Sequence, residues 1–208
     1  MEDVVILRHA EKDFTVRGSV LRYHSSVLDG IIADGAPTEE GIVLTMDGVS
    51  FAEVECFLAL AHHLSHRSNE RNDELNVPYK QHSMDDIVGM AKHAMPMIHK
   101  YDAAGLLNLC RAAVNAKPDT MAIYAILKHD DSMDWMTSDT LDFLMKEILS
   151  WFNREKVSAM GQDGLTALRA ARETLEDMPP SVVNAFLLYV MGRPDLEIRD
   201  LRQRSKAN

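Results

Sequence analysis

The sequence predicts an α+β fold, with a small sheet near the N-terminus and helices over most of the remaining chain. Aliphatic and β-branched residues form two short runs, 3–7 and 13–16, on either side of a polar turn, which is the pattern of a β-hairpin. A third run, 42–46, follows Gly41 and precedes the turn sequence Asp47-Gly48, so it predicts a third strand. Beyond it, apolar residues recur at helical spacing.

The predicted helices begin after Ser50, which forms a capping-box pattern with Glu53 and precedes an apolar stripe that includes Phe57. Residues 65–82 are polar and charged with few apolar anchors, so they predict an exposed loop. Apolar spacing then predicts further helices over 84–94, around 98 and over 103–116. Two more helices are predicted to start at 118–120 and at 138–140. A turn at 161–164 is followed by a predicted helix over 165–176 and by a last helix that Ser181 caps. A small sheet with one polar side would cover the edge of this helical cluster.

Length, charge and cysteine usage limit the class of protein. With 208 residues the chain has room for one domain with an extension or for two small domains. Its acidic start, Met1-Glu2-Asp3, and the lack of a long apolar run predict a soluble intracellular protein, cytoplasmic or nuclear, without membrane contact. Cys56 and Cys110 indicate buried thiols of a reducing compartment, with a disulfide left open. The net charge of −10 argues against a nucleic-acid partner.

One short motif raises the question of enzymatic activity. Arg8-His9-Ala10-Glu11, after a β-branched run, is similar to the opening of the histidine phosphatases, in which the histidine accepts a phosphoryl group and the arginine neutralises its charge. Such an enzyme needs several parallel strands that deliver further catalytic residues to the same phosphate, whereas the strand pattern here stops near Met46. We therefore interpret Arg8-His9 as part of an exposed hairpin turn, with phosphatase activity as a distant alternative.

Several longer segments occur in an order that is more specific than the short motif. Phe14 is followed by Val20-Leu21 and by Ser25-Ser26-Val27-Leu28. Next come Ile42-Val43-Leu44 and a helical segment with Phe51 and Phe57-Leu58, and later His99-Lys100-Tyr101-Asp102-Ala103 with Leu106 and Cys110. Over residues 2–114 this arrangement resembles the BTB/POZ domain family. The match includes Asp3 at the start of the first strand and the "A-D-K-Y-D" type segment around Tyr101.

The resemblance implies a BTB/POZ-like small sheet packed on a helical cluster over 1–114, followed by an all-α extension over 115–208 with a loose basic tail. It implies a protein–protein interaction or scaffold module without catalytic activity, which binds other proteins and forms a homodimer. The alternative is a substrate adaptor of a cullin-based ubiquitin ligase. The sequence departs from the family at Arg17 and Gly18, where a His-Lys or His-Arg pair is usual, and in the lack of the family's extra N-terminal strand and helix.

The resemblance also implies where a cullin would bind. In cullin-binding members a hydrophobic residue, any residue and an acid precede the Tyr101-type segment by a fixed distance. Counting back reaches Met90-Ala91-Lys92, where Lys92 puts a positive charge in place of the acid. Met84-Asp85-Asp86 would provide the hydrophobic residue and the acid if the motif lay further from the Tyr101-type segment than is usual in the family. A repulsive charge at an interface can reject a partner, so we expect weak or no cullin binding.

Other candidate sites have simpler interpretations. His62 and His66 are spaced to share a helix face and could contribute to a zinc site, but no further ligand is placed by spacing. We interpret them, with His63, as a solvated helix end, and we expect no metal and no cofactor. Four methionines, at 84, 90, 95 and 97, are expected mostly in the core, with an adaptable binding surface as the alternative.

Overall fold

The computed structural model describes residues 4–10, 12–39, 41–68, 82–130, 132–159 and 178–190, with side chains except at 66–68, 149, 151–159 and 187–190. Within these ranges the chain forms three strands and eight helices, so the predicted α+β class is confirmed. In chain order the elements are β1 (Val4–Arg8), β2 (Asp13–Arg17), α1 (Gly18–His24), α2 (Ser26–Asp34), β3 (Ile42–Thr45), α3 (Phe51–Ser68), α4 (Met84–Lys100), α5 (Ala104–Ala116), α6 (Thr120–Leu127), α7 (Ser138–Ala159) and α8 (Pro180–Val190).

The three strands form one mixed sheet in the order β2-β1-β3. β1 pairs antiparallel with β2, which confirms the hairpin, and parallel with β3. On the inner face, Val5 pairs with both Val16 and Ile42. The outer face was expected to be polar, but Val4 and Ile6 of β1 are only partly exposed there. That expectation was wrong, because β-branched residues also fill the outward positions of the central strand.

The chain turns a corner between α1 and α2, which lie between β2 and β3. α1 starts directly at the end of β2 without a side-chain cap, and Gly18 at its first position is buried. Ser25 separates the two helices and caps α2, since its side chain accepts a hydrogen bond from the Leu28 amide at 3.0 Å. Leu28 and Ile32 then face the core, each with 1% of its surface exposed.

α3 and α4 pack against each other and correct two predictions. Residues 65–68 were predicted to begin a loop but belong to α3, which continues to Ser68. The rest of the predicted loop, 69–81, lies outside the described residues. The helices predicted over 84–94 and around 98 are one helix, α4, which passes through Pro96. The missing amide of Pro96 removes one helical hydrogen bond, but the buried face continues in register from Ala91 to Ile98, and its packing preserves the helix.

The chain divides into two compact units, Met1–Ala113 and Val114–Asn208. The first has a core that includes Phe57, Met97 and Leu106; the second has one that includes Ile123, Leu144 and Phe186. None of the helices in the described part is long and apolar enough to cross a membrane.

The C-terminal unit corrects one capping prediction. α8 begins at Pro180, so Ser181 lies inside its first turn rather than at the cap. The carbonyl of Pro179 accepts the amides of Val182 and Val183, at 2.9 and 3.1 Å. A proline at the first helical position is favourable because its missing amide has no helical partner there. The turn predicted at 161–164 and the helix predicted over 165–176 lie outside the described residues.

Candidate interaction surface

The corner between α1 and α2 is anchored on two sides by consecutive polar residues. Ser25 donates a short hydrogen bond from its hydroxyl to the carbonyl of Tyr101, just after α4. Nε2 of His24 lies 2.9 Å from the Ala61 carbonyl and 2.8 Å from the Ser65 hydroxyl, both on α3. Because a carbonyl only accepts, the ring nitrogen carries the hydrogen. These contacts fix which face of α2 is turned toward the core.

The opposite face of α2 carries exposed apolar side chains. Val27 is 40% exposed and Ile31 is 42% exposed, and they lie one helical turn apart. Tyr23, at the end of α1 and before the corner, is 67% exposed. We call Tyr23, Val27 and Ile31 the apolar row. Gly30 lies next to Ile31, and no atom lies within 4 Å of the position that a Cβ would take there.

The charges beside the apolar row neutralise each other. Arg22 of α1 and Asp29 of α2 form an ion pair with 2.8 Å between Nη1 and Oδ1. The pair is partly exposed, so it contributes little to stability. The pair cancels one charge of each sign beside Tyr23, Val27 and Ile31, in a chain whose net charge is −10.

The residues predicted for cullin binding are all on α4, but they differ in exposure. Met84 is 39% exposed in the first turn. Asp86 belongs to a capping box, in which Ser83 and Asp86 bind each other's backbone amides at 2.9 and 3.2 Å. Asp85 is exposed, while Met90 and Lys92 are partly buried and lie almost two turns further along the helix. The structure therefore separates the two predicted motifs.

The methionine patch is likewise divided. Met95 and Met97 are each 1% exposed, so they belong to the core, as expected for most of the set. Met84 alone of the four has an exposed side chain. Of these four methionines, only Met84, at the start of α4, is thus left for an adaptable binding surface.

Of the histidines predicted to form a solvated helix end, His63 is buried and His62 is partly exposed. His63 is 3% exposed, and its ring lies 5.9 Å from that of His82. The prediction was wrong for His63, because α3 extends beyond Ser65, which places His63 inside the packed helix. The side chain of His66 lies outside the described set, and the described residues contain no group of three ligands arranged for a metal ion.

His9 also occupies a more packed position than predicted. Its Nε2 donates to the carbonyl of Val49 at 3.1 Å, and its ring meets the edge of Phe51 at 6.1 Å between centroids. Arg8 forms an ion pair with Asp13 at 3.0 Å. The hairpin turn is thus tied to the start of α3 through His9. The predicted exposed turn is confirmed at Arg8, Ala10 and Lys12, whereas His9 itself is partly buried.

Both cysteines are free thiols, which answers the question of a disulfide. Burial raises the pKa of Cys110 to about 12. Burial, together with the charge of Glu55, also raises the pKa of Cys56. A thiol acts as a nucleophile in its deprotonated form, so neither residue is activated.

No protein-family model, curated protein or solved structure matches the chain.

Sequence reasoning missed the apolar row, although a signal for it existed. Residues 27, 28, 31 and 32 are all apolar, so a helix over this segment has apolar side chains on two faces. One of those faces packs on the core, and the other remains exposed.

Proposed function

We propose that the chain is a protein–protein interaction module of BTB/POZ type, without catalytic activity, and that it associates with a second copy of itself. The order of its elements supports the resemblance: a hairpin, short helices, a third strand, a long helix, and later the segment around Tyr101. The tie between Ser25 and Tyr101 joins two of the segments on which the resemblance rests.

The observation that carries the proposal is the apolar row on α1 and α2. Isolated exposed apolar residues are common on protein surfaces, but adjacent ones mark interaction sites. Val27 and Ile31 lie one turn apart on α2, and Tyr23 is exposed at the end of α1, just before the corner. The spacing of Val27 and Ile31 suits the packing of another helix along α2, and Gly30 would let that helix approach closely.

A second copy is the partner that the local charges favour. In a two-fold interface the same surface meets itself, so every net charge near the axis faces a like charge. The Arg22–Asp29 pair cancels the charges of these two residues beside the apolar row, whereas the chain as a whole, with a charge of −10, repels its copy. The row is therefore a favourable place for self-association in a chain of this net charge.

Sedimentation equilibrium tests the proposal directly. We expect a dimer for the unmodified chain and a monomer for the double variant Val27→Asp, Ile31→Asp, because paired carboxylates would face each other across the interface. Met121→Asp is the matched control, since Met121 is an apolar side chain on α6 with 64% exposure. A clean monomer of the unmodified chain at high concentration would contradict the proposal, as would a dimer unaffected by the double substitution.

The adaptor of a cullin-based ubiquitin ligase remains the second candidate function, because Met84 is exposed and Asp85 beside it is also exposed. Against it, Asp86 is engaged in the capping box and Lys92 has the wrong charge. We expect weak or no cullin recovery when the tagged chain is purified from cell extract with its partners and analysed by mass spectrometry. Strong recovery that Met84→Ala abolishes and Met90→Ala preserves would favour the adaptor.

Phosphatase activity at His9 is the distant alternative. The Nε2 of His9 is already bound to the Val49 carbonyl, and Arg8 is paired with Asp13. Because Nε2 donates, the lone pair of the neutral ring lies on Nδ1, so this contact does not block a phosphoryl acceptor. The pairing of Arg8 with Asp13 weighs against the enzyme, because it engages the arginine that would neutralise the phosphoryl charge. A phosphatase assay of the unmodified chain and of His9→Ala provides the test; activity lost in the variant would overturn the non-catalytic proposal.

A further inference from the structure

The corner between α1 and α2 depends on one titratable side chain. α1 has 7 residues and α2 has 9, and helices this short are marginal without tertiary contacts. His24 is the last residue of α1 and is 6% exposed. It contacts Ala61 and Ser65, one turn apart on α3, so a single imidazole connects the end of α1 to the long helix.

The environment of this ring favours its neutral form. Burial lowers the pKa of His24, and this effect outweighs the opposing effect of the hydrogen bond to the Ala61 carbonyl. The charge of His62, on α3, lowers the pKa of His24 further. A second proton on the ring therefore adds a positive charge to a buried site that already lies near a basic group.

Charges on the neighbouring elements do not compensate for that proton. Tyr23 of α1 presents only the edge contact of its ring, with 4.9 Å between centroids. Arg22 of α1 is paired with Asp29 of α2, and Asp34 lies at the opposite end of α2. From α4, Lys100 donates to the carbonyl of Asp47. Among the described side chains, no carboxylate raises the pKa of His24.

We propose that the His24 corner is an acid-sensitive latch that controls the apolar row. Neutral His24 holds α1 against α3, and protonation of its ring loosens α1 and, through their mutual packing, α2. The effect on self-association rests on the proposed function, because it assumes that the apolar row binds a second copy. The loosening of α1 and α2 does not depend on that assumption.

The sign follows from proton linkage. In the opened chain the imidazole takes its proton near the ordinary pKa of about 6.5, but in the closed corner it does so only at lower pH. Below the ordinary pKa the opened form therefore binds more protons, and the closed form loses stability as the pH falls. Sub-global opening of a short, locally anchored pair of helices needs less free energy than global unfolding.

Hydrogen exchange of the α1 and α2 amides tests the latch in dilute protein, at about pH 7.5 and about pH 5.5. After correction for intrinsic exchange rates, we expect faster exchange in acid, by up to about tenfold, because pH 5.5 lies about one unit below the ordinary pKa of the ring. His24→Gln keeps a side-chain N–H donor without a titrating group, so its corrected exchange should be equal at the two pH values. His93→Gln, at an exposed position on α4, is the matched control and should behave as the unmodified chain.

A second variant decides the test if His24→Gln fails to fold at neutral pH by circular dichroism. His62→Gln removes one source of repulsion, so it should reduce the acid response of α1 and α2 without abolishing it. Two results would overturn the latch. One is that acid leaves the protection of α1 and α2 in the unmodified chain unchanged. The other is that His24→Gln and His62→Gln respond to acid as strongly as the unmodified chain does. Sedimentation at both pH values then judges the proposed function separately: a monomer at both, with the exchange response intact, rejects self-association and retains the latch.

Discussion

The two compact units each contain a polar anchor, and the two anchors differ in chemistry. In the first unit, His24 and Ser25 bind backbone carbonyls of α3 and of the end of α4. In the second, the amide of Asn115 donates to the Trp135 carbonyl at 2.7 Å. Its oxygen accepts the Thr137 amide at 2.9 Å and the Thr140 hydroxyl at 2.8 Å.

The difference shows how similar hydrogen bonds can respond differently to conditions. The Asn115 amide has one donor and one acceptor group in use and no titrating proton, so its anchor is the same at every physiological pH. His24 also supplies an N–H donor, but the donor belongs to an imidazole ring, which can take up a second proton. The anchor that supports the exposed apolar row is thus conditional, whereas the anchor at the start of α7 is permanent.

The largest loss of unfolding free energy is expected from a substitution in the apolar core, and the losses at the two polar anchors can be compared with it. Leu106 is 0% exposed, so Leu106→Ala should lower the free energy of unfolding by about 2–5 kcal/mol through lost burial and a cavity. Leu107→Ala, at a partly exposed position of the same helix, should cost clearly less. Thermal and urea unfolding measure both. Equal losses would mean that the buried face of α5 is wrongly assigned.

Asn115→Ala should have the next largest effect. It removes the hydrogen bonds to the Trp135 carbonyl, the Thr137 amide and the buried Thr140 hydroxyl, and losing them costs about 1–3 kcal/mol. The loss should be the same at neutral and mildly acidic pH, because no titrating group is involved. Asn108→Ala, at an exposed position of the same helix, is the control. A pH-dependent loss in urea unfolding would remove the contrast between the two anchors.

Ser25→Ala should have a smaller effect on the conditional anchor. The change deletes the cap of α2 and the tie to the Tyr101 carbonyl, which together are worth about 1–2 kcal/mol. Ser26→Ala, at the exposed next position, should be nearly neutral. Urea unfolding gives the difference. If the two serines behave alike, the corner is not held by Ser25, and the latch would then depend on His24 alone.

The elements that could be predicted from the sequence are those with a local signal. The hairpin was found because its side chains alternate over a few residues, and the Ser50–Glu53 capping box because its partners are three residues apart. The parallel pairing of β1 with β3 has no such signal, since it joins residues about 37 positions apart through two intervening helices. The segments of α1 and α2, with 7 and 9 residues, were also too short for their apolar spacing to identify two separate helices.

The anchors could not be predicted for the same reason. His24 meets Ala61 across 37 residues, and Ser25 meets Tyr101 across 76. His9 and His63 were expected at the surface, because a polar residue in a turn or near a helix end is usually solvated. Their burial depends on the position of α3, whose C-terminal end extends further than its polar sequence indicates. Tertiary contacts, rather than local pattern, decide the surroundings of each of these residues.

The smallest expected effect separates the surface of α2 from its stability. Gly30 and Gly89 both lie inside helices with open space where a Cβ would be, so alanine at either should raise the free energy of unfolding by about 0.5–1 kcal/mol. Only Gly30 lies beside the apolar row. We therefore expect Gly30→Ala to weaken the dimer by blocking close approach of the second copy, and Gly89→Ala to leave it unchanged, as measured by sedimentation. Equal dimer strength in both variants would mean that the second copy does not approach α2 at Gly30, even if Val27 and Ile31 contact it.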